Sequence, residues 1–134
     1  MEKAYIVMTY LQRIDYRPTT DHLTAEEQEF LREHFMAYGA EMVVDGQPVQ
    51  WEHIQEVEVV PAPRAAGPAG WLVKKLFLHG QDRYHVGVYF GAMEAVLPNI
   101  TWDTARYVVE TVAYYAPQPV VYKGPENLVR LTEI

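Results

Sequence analysis

Apolar and polar positions recur along this chain with two periods, and each change of period marks an element. Residues 4–11 are β-branched and aromatic at odd and even positions alike, the pattern of a strand covered on both faces. After a loop over 17–22, Thr24-Ala25-Glu26-Glu27 forms a capping box, in which each end residue can satisfy the other's backbone amide. Phe30, Leu31, His34, Phe35 and Tyr38 then fall on one helical face, and Gly39 offers a stop. The spacing predicts a helix over 24–38.

A period of two takes over at Glu41. Asp45-Gly46 is a two-residue turn signal, which predicts a hairpin over 41–51 with Pro48 on an edge strand. Trp51-Glu52-His53-Ile54 breaks the alternation as a single helical turn or bulge before a strand over 55–60. The Pro/Gly-rich stretch 61–70 reads as a long connection, because neither half of the chain carries a full core pattern. Strands over 71–79 and 82–90 follow, joined at Gly80-Gln81. Their register sets Tyr84, Val86, Val88 and Phe90 on the core face with Trp71, Val73 and Phe77, and gathers Lys74, Arg83 and His85 on the other.

A short strand over 92–97, a turn at Leu97-Pro98-Asn99 and a second helix over 101–116 come next. That helix turns Ala105, Val108, Val109, Val112 and Ala116 inward and Arg106 and Glu110 outward. Segments 120–122 and 128–131 suggest a last hairpin. The expected whole is one α+β domain over residues 1–134, a bent antiparallel sheet or partial barrel packed by two helices.

Composition changes this picture through charge. With 134 residues, 49% hydrophobic and 22% charged, the chain has the balance of one globular domain. Its net charge of −7 is localised, since residues 26–58 hold nine acids against Arg32 alone. No Lys/Arg stripe with interleaved aromatics is present, so nucleic acid is not an expected partner. Segment 41–60 holds five acids and no base, which repels an anionic membrane surface. No apolar run approaches the roughly 20 residues of a membrane span, and the N-terminal run lacks a cleavage signal, so the expected location is cytoplasmic. The expected partners are a second copy of the chain, since strands 4–11 and 71–90 carry surplus apolar surface, or a basic protein surface.

The stretch Val44-Asp45-Gly46-Gln47-Pro48-Val49-Gln50-Trp51-Glu52-His53-Ile54-Gln55-Glu56-Val57 resembles the early hairpin of bacterial pleckstrin-homology-like domains. There a turn and a short strand lead into a Trp-acid-X-Ile step and another strand. The later meander and the helix over 101–116 are similar in order to that family's remaining elements. The resemblance implies a recognition scaffold rather than chemistry.

Candidate chemistry is sparse. The chain has no cysteine and no serine, which removes thiolate and Ser-based nucleophiles. Its five histidines include no His-x3-His pair, and no metal or cofactor is expected. On the register of strands 71–79 and 82–90, His79 faces Asp82 across the turn, which is expected to be a surface contact at a hairpin tip before a metal pair. Among Glu52, Glu56 and Glu58, the last two share a strand face about 7 Å apart, the spacing of paired carboxylates and equally of a solvated face. Lys74, Arg83 and His85 are the expected anion-binding set. Tyr10, Tyr16, Tyr114, Tyr115 and Tyr122 suit core or interface packing, or the lining of a small-ligand pocket. The expected function is a non-enzymatic binding or self-association module. The alternative is a small enzyme or small-molecule binder with a pocket between sheet and helix, distinguished by a concave apolar pocket with converging polar groups.

Overall fold

The computed structural model describes residues 8–62 and 83–133. The expected strand over 71–79, Lys74 and the His79–Asp82 contact lie outside the described residues, as do residues 4–7. Much of the apolar surface on which a homodimer was expected lies there too.

Helix α1 (Ala25–His34) starts at the predicted capping box, where the Thr24 hydroxyl accepts from the Glu27 amide and the Glu27 carboxylate from the Thr24 amide. It ends before the predicted 38. Phe35 is already extended, and β2 (Phe35–Ala37) pairs with β3 (Glu41–Val44). Phe35 satisfied the helical period, but as a strand residue it is buried at 5% exposure and meets Tyr107 edge to face at 6.2 Å. The turn that follows β3 then closes the helix end. The Asp45 amide donates to the His34 carbonyl at 3.0 Å, and the Asp45 carboxylate meets His34 Nδ1 at 2.5 Å.

β3 and β4 (Gln47–Gln50) form the expected hairpin, turning through Asp45 and Gly46 with φ of 50° and 81°. Pro48 lies on β4, an edge of the three-stranded antiparallel sheet β2-β3-β4, where a missing N–H is tolerated. A 3₁₀ turn over Trp51–His53 follows. Trp51 is buried, its indole N–H donates to the Tyr38 carbonyl at 2.7 Å, and its ring stacks on Tyr115 at 4.7 Å.

The larger sheet has six strands in the order β7 (Met93–Ile100), β6 (Tyr84–Phe90), β5 (Ile54–Pro61), β8 (Val121–Lys123), β1 (Thr9–Leu11) and β9 (Leu131–Glu133). β5, β6 and β7 form an antiparallel meander that buries Val57 and Val59 together with Val86 and Val88, the last two on the expected face. The turn expected at Leu97-Pro98-Asn99 is instead a bulge inside β7. Pairing jumps from Val86↔Leu97 to Tyr84↔Ile100, Asn99 has φ 58°, and its amide donates to His85 Nδ1 at 2.9 Å. A bulge accommodates a proline that cannot donate to the ladder.

The tail corrects the expected last hairpin. β8 (Val121–Lys123) and β9 (Leu131–Glu133) do not pair with each other. β1 (Thr9–Leu11) lies between them, antiparallel to both, and β8 runs parallel to β5. The expected α+β architecture of an open sheet with two helices therefore stands, and the larger sheet is antiparallel except for the parallel β5–β8 pair, which makes it mixed. Segment 124–130 is no tight turn, because Leu128 is buried at 2% exposure and its carbonyl accepts from Arg106 Nε at 3.0 Å. Arg106, expected to face solvent, thus ties the second helix to the tail.

Helix α2 (Trp102–Tyr115) buries Ala105, Val108, Val109 and Val112, as its spacing predicts. The buried apolar residues of both sheets and both helices form one cluster. Among the described residues no helix is long and apolar enough to cross a membrane.

Candidate functional site

β7 ends at Ile100 and Thr101 caps α2, so the chain reverses at the end of the sheet, where the N-terminus of α1 meets it. Glu27 joins the two helices. Its Oε1 accepts from the Thr24 amide at 2.8 Å, and its Oε2 accepts from the hydroxyls of Thr101 and of Thr104, the latter at 3.2 Å. The Thr24 and Thr101 hydroxyls in turn accept from the Glu27 and Thr104 amides, both at 3.2 Å. One carboxylate therefore serves two helix N-termini, where the peptide dipoles favour negative charge. Partial burial pushes the Glu27 carboxyl up, but the hydrogen bonds from Thr101, Thr24 and Thr104 outweigh it and hold the group below its ordinary value.

Beside this junction opens a cleft of about 660 Å³, within the roughly 300–1,000 Å³ of small-ligand sites. Three aromatic residues from three elements line it: Phe30 of α1, Tyr84 at the start of β6 and Trp102 in the first turn of α2. Tyr84 and Trp102 meet edge to face at 5.5 Å. Among the described residues its charged lining is Glu26, Glu27 and Asp103 against one base, Arg83. Glu26 and Asp103 sit in the first turns of their helices, where the dipoles stabilise their charge.

Of the expected anion-binding set, Arg83 lies in this cleft among acids. His85 lies two residues further on and uses Nδ1 to hold the Asn99 bulge, and Asn99 also lines the cleft. Lys74 is outside the described residues. The two carboxylates weighed as a pair, with a solvated face the expected reading, are engaged elsewhere. Glu56 faces Lys123 Nζ at 3.5 Å, and Glu58 accepts from the Tyr89 hydroxyl at 2.8 Å. Hydrogen bonding to Glu94 and Glu58 holds the Tyr89 phenol above its ordinary range. Tyr115 and Tyr122 serve packing, the first against Trp51 and Tyr114, the second buried at 3% exposure. Among the described residues no three His, Asp or Glu side chains converge as metal ligands.

Phe30, Tyr84 and Trp102 were not expected as a set. Trp102 sits directly after the N-cap, but it also continues the apolar stripe of its helix, three residues before Ala105 and seven before Val109, and so read as core. Neither a scan against protein-family models nor searches of curated proteins and of solved structures returned a match to this chain.

Proposed function

We propose that this domain is a non-enzymatic binding module whose ligand is an organic cation, seated in the cleft between the N-termini of α1 and α2. The observation that carries the reading is the composition of the walls: Phe30, Tyr84 and Trp102 beside Glu26, Glu27 and Asp103, with Arg83 the single base among the described residues. Aromatic faces attract a cation with about 0.5–2 kcal/mol each, more as it is desolvated. The carboxylates supply the charge that an alkylated ammonium cannot obtain by hydrogen bonding. Glu27 is already committed to both helix caps, so Glu26 and Asp103 are the carboxylates that face a ligand. The kinship expected from the Trp51–Ile54 step also implies recognition rather than chemistry.

Arg83 separates this reading from anion binding, because the two assign it opposite signs. Calorimetric titration with choline should give saturable binding that Asp103→Asn and Trp102→Phe weaken. Arg83→Ala should tighten it, since a like charge is removed. Inorganic phosphate should not bind. Phosphate binding that Arg83→Ala abolishes would give the cleft to an anion instead.

A further inference from the structure

The cleft leaves unexplained an apolar row on the opposite side of the small sheet from its buried residues. The pairing aligns Met36, Val43 and Pro48 across β2, β3 and β4, while the alternate residues Met42, Val44 and Val49 enter the core. Met36 is 47% exposed and Tyr38 48%. The Tyr38 hydroxyl reaches Met36 Sδ at 3.4 Å, so the two form one surface. Single exposed apolar residues are ordinary, whereas a contiguous row with a polar rim marks an interaction surface.

The rim is acidic. Glu41 shares the outward parity of Val43, Asp45 forms the neighbouring turn, and Glu33 and Glu52 are exposed on the flanking elements. Residues 26–58 hold nine acids and Arg32, and Arg32 is paired with Glu29. His34 is likewise taken up by Asp45 and Glu33. A second copy docked by a two-fold axis would set this rim against itself, and like charges in register oppose association. Nucleic acid and anionic lipid carry the same sign.

We infer that this face docks a basic amphipathic segment of a partner protein, its apolar side chains on the Met36–Val43–Pro48 row and its Lys or Arg side chains on the rim. Three strands at about 4.8 Å spacing make a row near 10 Å wide, room for one helix or one strand. A row this narrow suits a transient contact rather than an obligate one. This site is separate from the cleft and does not depend on it.

The test is chemical-shift mapping on the full chain with three synthetic peptides: a Leu/Lys amphipathic helix, its Leu/Glu counterpart and a scrambled Leu/Lys peptide of equal charge. The Leu/Lys helix should shift residues 36, 38 and 43. The Leu/Glu peptide should not bind, and the scramble should bind about tenfold more weakly. Met36→Asp adds an acid and removes only the apolar contact, so it should weaken the Leu/Lys helix about tenfold even though it raises the attraction of charge. Its thermal midpoint checks that it folds, and Pro48→Ser is the second variant. Asp103→Asn, in the cleft, should leave this binding unchanged. Equal binding of the scramble, or shifts confined to other faces, would overturn the inference. So would a dimer in light scattering that Met36→Asp dissociates, which would give the face to a second copy.

Discussion

At the scale of single residues, the sharpest constraint is at Gly124. A Cβ there would stand 2.8 Å from Tyr122 Oη and 3.0 Å from both Cβ and the backbone oxygen of Val59. A backbone atom of a central strand cannot give way, so Gly124→Ala should destabilise by about 1–3 kcal/mol, measured by denaturant unfolding. Gly87→Ala is the internal control. Its nearest neighbour, at 3.0 Å, is the far end of the Glu94 side chain, which can swing aside. Its cost should stay near 0.5 kcal/mol. Glu27 makes a second prediction. Its folded pKa is depressed from the ordinary 4.5, so its stabilisation is complete above that pH and is lost as pH falls through the folded value. Comparing thermal midpoints with Glu27→Gln from pH 7 down to 3 should show a gap that narrows below about pH 4.5. A gap that is constant with pH would mean the charge contributes nothing.

At the scale of elements, the sequence spoke clearly where partners are close along the chain. The capping box at Thr24, the Asp45-Gly46 turn and the stripe of α2 all depend on neighbours within a few residues, and all stand where they were expected. The end of α1 was misread because Phe35 fits both periods, and only its ladder with β3 decides between them. The order of the larger sheet was illegible for a different reason. β1 pairs with β8 and β9 across most of the chain length, and nothing local in 9–11 or 121–133 specifies that choice. The cleft lies between these cases. Both caps were readable, but one glutamate serving both is a property of tertiary apposition. Gly46→Ala tests the hairpin that closes α1. With φ of 81° at that position, it should cost about 1 kcal/mol, seen as a lower thermal midpoint.

At the scale of the molecule, strands from both termini and the middle are interleaved, with β5, β8, β1 and β9 adjacent in one sheet. Deleting residues 128–134 removes β9, the buried Leu128 and the acceptor of Arg106. Leu128 alone is worth about 1.5–3 kcal/mol on burial. Trp fluorescence and far-UV circular dichroism should report one coincident transition at lower denaturant, rather than separate loss of one sheet. The charge distribution acts at the same scale. The cationic ligands proposed for the cleft and the small sheet would both be drawn by the acidic half, so added salt should weaken each.

The central claim is that the cleft selects positive charge in an aromatic setting. Titrating choline and its neutral isostere 3,3-dimethyl-1-butanol into the isotope-labelled chain tests it most directly. The two probes share shape and apolar surface and differ in charge alone. The account predicts that choline shifts the Trp102 indole and the amides of residues 26 and 103, and binds at least about tenfold more tightly than the isostere. Equal binding of the two, or choline shifts that avoid Trp102, would contradict it.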